Sequence, residues 1–184
     1  MSTTILRRFI REILEKEEKK PLRKLRVFDF DDTLVKTASM IHATNAKGEK
    51  FDLTPGEYAV YEPQPGDVFD YSDFSKLINP KQIKWTVRIL RNILAAGSEA
   101  VILTARGDSA PVEEFIRDAS LPVSQVIALG TSDPQAKAAY IESRIKDGVD
   151  VVEFFDDSAK NIEAVKLLRN KYPRVKIITR HIAH

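Results

Sequence analysis

Residues 25 to 34 read Leu-Arg-Val-Phe-Asp-Phe-Asp-Asp-Thr-Leu, an apolar run that closes on three carboxylates, Asp29, Asp31 and Asp32. Leu25, Val27, Phe28 and Phe30 predict a β-strand over Leu25–Phe30, apolar enough to be covered on both faces. If the strand continues through Asp31, then Asp29 and Asp31 project to one side while Phe28 and Phe30 point to the other. Two carboxylates then face one substrate, where one can attack as nucleophile while the other serves as general acid and base.

Working outward, four more short apolar runs follow: Ala100–Leu103, Gln125–Leu129, Val151–Phe155 and Val175–Thr179. Helical patterns lie between them, at about residues 80–96, 110–119, 134–146 and 158–171. This alternation predicts the α/β class, a Rossmann-like doubly wound sheet of about five parallel strands with helices on both faces. Ligands in that class sit beyond the carboxyl ends of the strands, at the topological switch point. Those ends carry Asp29, Asp31 and Asp32 on the first strand, Thr104 and Arg106 on the second, and Asp156 and Asp157 on the fourth. Carboxylates gathered at one sheet edge repel, by about 4 kcal/mol for two unit charges ~4 Å apart at an effective dielectric of 20, and a cation resolves the repulsion.

Two segments stand outside the alternation. Residues 35–79 contain Gly48, Pro55, Gly56, Pro63, Pro65 and Gly66 with no sustained period, and read as a flap or small cap, so the expected cap is minimal or absent. Residues 3–19, with Ile5, Leu6, Phe9, Ile10, Ile13 and Leu14 at helical spacing, predict an amphipathic helix ended near Pro21, packed on the main domain. The domain division is therefore residues 1–20, a helix, and 21–184, the catalytic unit.

With 184 residues, 43% hydrophobic and 30% charged, the chain suffices for one core. The absence of cysteine excludes disulfides and thiolate zinc sites, and His42, His181 and His184 have no zinc spacing. A metal here must be held by carboxylates, which favours a hard ion such as Mg²⁺. No run reaches membrane-spanning length and no secretory signal opens the chain, so the expected location is cytoplasmic. The net charge of +2 hides a surplus of five positive charges in residues 1–26, a solvated helix face or a surface for an anionic partner such as nucleic acid.

The run Asp29-Phe30-Asp31-Asp32-Thr33-Leu34 resembles the first motif of the haloacid dehalogenase-like (HAD) phosphatase superfamily, Asp-x-Asp-x-Thr/Val after a hydrophobic strand. Val101-Ile102-Leu103-Thr104 is similar to its second motif, Lys137 stands where the third-motif lysine belongs, and Phe154-Phe155-Asp156-Asp157 is similar to the acidic fourth motif. The resemblance covers about residues 25–179 and leaves out the N-terminal helix and the flap.

What the resemblance implies is a Mg²⁺-dependent phosphomonoesterase working through an aspartyl-phosphate. Asp29 would be nucleophile and metal ligand, and Asp31 general acid and base with its carbonyl on the metal. Thr104 would bind a phosphoryl oxygen, Lys137 would neutralise charge, and Asp156 with Asp157 would hold Mg²⁺. Arg106 stays open between substrate contact and structural ion pair, and Lys146 and Lys160 are rivals to Lys137. The bland readings are that Thr104 and the pair Asp156-Asp157 cap helices and that Lys137 is a surface lysine. The rival functions are a phosphotransferase or mutase of the same superfamily and a non-catalytic binding protein of the same fold. A site with little cap favours a polynucleotide end over a free nucleotide as substrate.

Overall fold

The structure is a computed structural model that describes residues 5–9, 11 and 21–183, the side chain of Ala59 excepted. Residues 5–9 and 11 are helical (α1), and Ile5, Leu6 and Phe9 stand exposed rather than packed on the main domain. The rest of the expected N-terminal helix lies outside the described residues.

Strand β1 (Lys24–Phe28) lies at the centre of a five-stranded sheet in the order β10-β9-β1-β7-β8. Its partners are β7 (Ala100–Thr104), β8 (Gln125–Ala128), β9 (Val151–Asp156) and β10 (Lys176–His181), all pairing in parallel. Helices α3 (Lys84–Ala95), α4 (Ala110–Asp118), α5 (Pro134–Lys146) and α6 (Ala159–Lys171) make the connections. The fold is the expected doubly wound α/β sheet. Chain order runs outward from β1 through β7 to β8, then returns to the other side of β1 as β9. The switch point thus falls between β1, which Asp29 directly follows, and β9, which ends in Asp156.

The strands read as continuous apolar runs because both faces are covered. On one face Leu25, Val27, Val101, Leu103, Val152 and Phe154 pack with Ile141, Ile145, Ile162 and Val165 of α5 and α6. On the other, Phe28, Ile102 and Phe155 pack with Val87, Leu90, Val112 and Ile116 of α3 and α4. The side-chain alternation of a strand sorts β1 between the two cores. Phe28 and Phe155 are register partners whose rings stack at 4.1 Å, each adding about 1.5–3 kcal/mol of burial.

Pairing within β1 stops at Phe28, two residues short of the expected end, although the Asp29 amide still donates to the Phe155 carbonyl at 2.9 Å. Beyond it the chain turns. The Phe30 carbonyl accepts from the amides of Leu34 and Val35, and Asp32 takes a left-handed φ of 55°, a conformation aspartate tolerates better than most residues.

The excursion after this turn is a small cap with its own structure. β2 (Val35–Lys36) pairs with β6 (Lys81–Gln82), and β3 (Ile41–Thr44) lies between β4 (Lys50–Leu53) and β5 (Val68–Asp70), all antiparallel. Helix α2 (Pro55–Val60) opens with a capping box in which Thr54 and Glu57 bond each other's backbone, and a 3-10 turn spans Ser72–Ser75.

Candidate active site

The site grows from the ends of β1 and β9 and the first turns of α5 and α6. Asp133 caps α5 by accepting from the Gln135 amide, and this start brings Lys137 under the sheet edge. Its ammonium, in a residue 3% exposed, donates to Asp29 Oδ1 at 2.6 Å and to Asp156 Oδ2 at 2.8 Å. Lys137 is therefore no surface lysine. Of its rivals, Lys146 pairs with Glu142 on the exposed far turn of α5, while Lys160 lines the same cavity as Asp29.

Asp156 is fully buried and its carboxylate is satisfied on both oxygens. Oδ1 accepts from the Ser158 amide at 2.8 Å and from the Asn161 side-chain amide at 3.0 Å; Oδ2 takes Lys137 and a second Asn161 contact at 3.1 Å. Asp157 accepts from the Thr33 hydroxyl at 3.2 Å, and that hydroxyl accepts the Asp157 amide at 3.1 Å, tying the β1 turn to β9. Sequence reasoning gave no role to Asn161, and none to Thr33 beyond its place in the motif. The Ser-x-x-Asn spacing of Ser158 and Asn161 at a helix start was the available signal.

Charge is unevenly compensated. Burial pushes the Asp29 carboxyl well above its ordinary range, with Lys137 opposing and Asp156 and Asp157 adding to the rise. Asp157 is pushed up to about 6, first by burial and then by Asp156. Burial disfavours the Lys137 charge, yet Asp29 and Asp156 more than offset it and hold the ammonium above its usual value.

Asp31 lies beyond the strand, bridged to Val35, so its expected side-by-side projection with Asp29 along a continuing strand does not occur. Both still line one cavity. The Asp31 carboxylate is gripped by Arg106 in a two-pronged pair, Nε to Oδ2 at 2.8 Å and Nη2 to Oδ1 at 2.7 Å. Arg106 is 3% exposed, and its Nη1 donates to the Phe74 and Lys76 carbonyls of the cap at 2.9 and 3.0 Å. Its guanidinium also sits 5.0 Å from the Phe74 ring centre and 5.8 Å from that of Phe30. Of the two readings left open for Arg106, the geometry is that of an ion pair joining Asp31 to the cap.

Thr104 closes β7 with its hydroxyl accepting the Arg106 amide at 3.2 Å, and it is not among the residues lining the cavity, whereas its successor Ala105 is. His42, half exposed in the cap, bridges Asp52 at 2.7 Å and Asp73 at 3.5 Å.

The donor set suits a hard divalent ion in kind, since the buried Asp29 and Asp156 and the half-buried Asp157 bring carboxylate oxygens in excess of the one ammonium among them. Among the described residues, however, no three acidic or histidine side chains are already gathered as a ligand shell, because Lys137 lies between Asp29 and Asp156. No helix among them is long and apolar enough to cross a membrane.

No family model matches the chain, and no curated protein matches it. A solved Pnkp1/Rnl/Hen1 complex is similar at 12% identity and a TM-score of 0.49, covering 90% of this chain and 48% of that one. A solved Pnkp1/Rnl/Hen1 RNA repair complex is similar at 13% identity and a TM-score of 0.48, covering 88% and 43%. The chain spans less than half the length of either.

Proposed function

We propose that the protein is a phosphomonoesterase of the haloacid dehalogenase-like type, acting through Asp29 on a polynucleotide end or a nucleotide. The observation that carries the reading is the convergence of Asp29, Lys137 and Asp156 at the switch point, with Lys137 Nζ within 2.8 Å of both carboxylates.

In the first step an Asp29 carboxylate oxygen attacks phosphorus, the bond from phosphorus to the ester oxygen breaks, and Asp31 gives that oxygen its proton. In the second, Asp31 takes a proton from water, the hydroxide attacks the aspartyl-phosphate, and Asp29 and inorganic phosphate are regenerated. To deliver its proton, the Asp31 carboxyl must share or leave the grip of Arg106. Asp29, Asp156 and Asp157, with the Asp31 carbonyl, would hold Mg²⁺, which when bound neutralises phosphoryl oxygens. Lys137 keeps the nucleophile oriented and offsets part of the charge.

The test is hydrolysis of 4-nitrophenyl phosphate with Mg²⁺, with and without chelator, by the wild type and Asp29→Asn. Turnover should require Mg²⁺ and vanish in Asp29→Asn, whose melting profile stays cooperative. Wild-type rates in Asp29→Asn would refute the mechanism.

A further inference from the structure

One wall of the cavity that Asp29 lines belongs to the cap. The cavity encloses about 770 Å³, within the range of sites for small organic ligands. From the cap, Tyr58, Tyr61, Tyr71 and Phe74 line it, together with proline and Ile41, and the cap supplies no lysine or arginine to the lining.

The rings brace one another. Tyr58 and Tyr71 meet edge to face at 5.7 Å with their hydroxyls 2.6 Å apart, and the Tyr61 hydroxyl donates to Asp67 at 2.8 Å. The polar ends of three tyrosines are thus engaged inside the cap. What this wall offers a ligand is ring carbon. Tyr71 is 47% exposed, so part of its ring is open to a ligand.

A polar strip, Thr131, Ser132 and Asp133, from the loop before α5, lines the same cavity as the aromatic wall and Asp29. The two buried cations of the cavity, Arg106 and Lys137, are already paired with Asp31 and with Asp29 and Asp156.

Three features of a ligand follow. It carries a phosphate for Asp29, hydroxyls for the polar strip and a flat uncharged ring for the aromatic wall. A bare sugar would leave the ring carbon of the wall without a partner, and a phosphotyrosyl side chain brings no hydroxyls to the polar strip. Resting on the phosphatase reading above, we propose that the cap wall of Tyr58, Tyr61, Tyr71 and Phe74 stacks the base of a nucleoside whose phosphate is presented to Asp29. The ribose lies along Thr131, Ser132 and Asp133. Aromatic rings stack any base, so the wall selects for a base without selecting which one.

The experiment compares kcat/KM for adenosine 3′-monophosphate and adenosine 5′-monophosphate with that for ribose 5-phosphate, in the wild type, Tyr71→Leu and Tyr71→Phe. One stacked base is expected to favour the better nucleotide by about 5- to 150-fold. Tyr71→Leu should collapse that ratio toward one, mainly through KM, while Tyr71→Phe keeps it. Tyr61→Leu carries the same expectation should Tyr71→Leu not fold. A wild-type ratio near one overturns the proposal, as does an unchanged ratio in Tyr71→Leu or a preference for a phosphotyrosyl peptide over both nucleotides.

A 3′-phosphorylated trinucleotide run beside the mononucleotide separates the sources. Higher kcat/KM for the trinucleotide supports the site at a polynucleotide end; equal or lower kcat/KM supports it for a free nucleotide. Failure of the phosphatase reading shows separately, as no turnover of ribose 5-phosphate or 4-nitrophenyl phosphate. Equilibrium dialysis of adenosine then decides: weaker binding to Tyr71→Leu than to wild type supports the wall, and equal binding overturns it.

Discussion

Replacing Arg106 by Met keeps an unbranched side chain and removes every donor. Four hydrogen bonds go with it, two to the Asp31 carboxylate and two to the carbonyls of Phe74 and Lys76. Removing one partner of a buried ion pair costs about 3–5 kcal/mol, and each stranded carbonyl about 1–3 kcal/mol. The Asp31 side chain is 18% exposed, so water recovers part of the first cost and the cap can yield to recover part of the second. A net loss of about 4 kcal/mol is expected, which at a urea slope of about 2 kcal/mol/M lowers the midpoint by about 2 M. Arg106→Lys, which keeps charge but not the fork, should lose about half as much. The kinetic consequence has its own signature. Asp31 matters most when the leaving oxygen needs a proton, and such catalysis contributes about 10²–10⁴-fold. Because Arg106 aims the Asp31 carboxyl yet must release it for proton transfer, Arg106→Met should change kcat on an alkyl phosphate at least about tenfold more than on 4-nitrophenyl phosphate, whose leaving group departs unassisted. A midpoint within about 0.5 M of wild type would refute the structural half of this reasoning. Equal changes on the two substrates would refute the assignment of Arg106 to positioning Asp31.

Lys137→Met should destabilise the fold by about 3–5 kcal/mol at neutral pH by leaving Asp29 and Asp156 buried together, and the loss should shrink as pH falls. The sign follows from Asp29: its folded value lies above the ordinary 3.8, so the stability it contributes is fully present below 3.8 and lost as pH rises through the folded value; a midpoint difference independent of pH would count against this. In the cap, hydrogen bonds that the His42 ring donates to Asp52 and then Asp73 raise His42 above 6.5, so its contribution is fully present below 6.5 and lost as pH rises through the raised value. Urea midpoints of wild type and His42→Gln should accordingly differ most near pH ~5 and converge by about pH 9, and a constant difference would exclude the histidine as the cause.

The α/β sheet was legible because its strands are buried on both faces, and nearly every position of β7, from Ala100 to Leu103, is then apolar. Strand ends were less so. The expected first strand reached Phe30, but the Phe30 carbonyl is taken by the turn amides of Leu34 and Val35 rather than by a neighbouring strand. At the other edge β10 runs to His181 instead of Thr179 because β9 pairs with it as far as Asp156. The cap escaped periodicity because its strands are two to four residues long and β4 alternates only between half-buried and exposed. Thr54-Pro55-Gly56-Glu57 was nevertheless a readable helix start. In the site, Asp29 and Asp156 could be assembled from the order of strand ends, whereas Lys137, inside α5, was placed only by the resemblance to the third motif. The role of Arg106 could not be read, since its partners are Asp31, 75 residues away, and two backbone carbonyls that have no sequence signature.

The same pairings bear on what the site can admit. Asp29, Asp31, Asp156 and Asp157 face two buried cations, and both cations are committed to these carboxylates. The surplus registers in Asp29 and Asp157, each of which burial and neighbouring carboxylates push above the ordinary range. A phosphate monoester adds nearly two more negative charges at neutral pH, and at ~4 Å each new like-charge contact costs about 4 kcal/mol at an effective dielectric of 20. Binding energy from the cap rings, of the order of 1–3 kcal/mol for one stacked base, does not offset that. Lys137 cannot turn to the phosphate without uncovering Asp156, nor Arg106 without uncovering Asp31 and releasing the cap. Neither buried cation is therefore at hand for the phosphoryl group, which leaves the exposed Lys160 at the cavity lining and a bound cation, and a substrate analogue should bind measurably tighter with Mg²⁺ than in chelator even to Asp29→Asn, which cannot form the aspartyl-phosphate. Equal affinity in the two conditions would mean that one of the two pairs opens on binding or that Lys160 supplies the charge, and Lys137, Arg106 and Lys160 would then be the groups to examine for a change of partner.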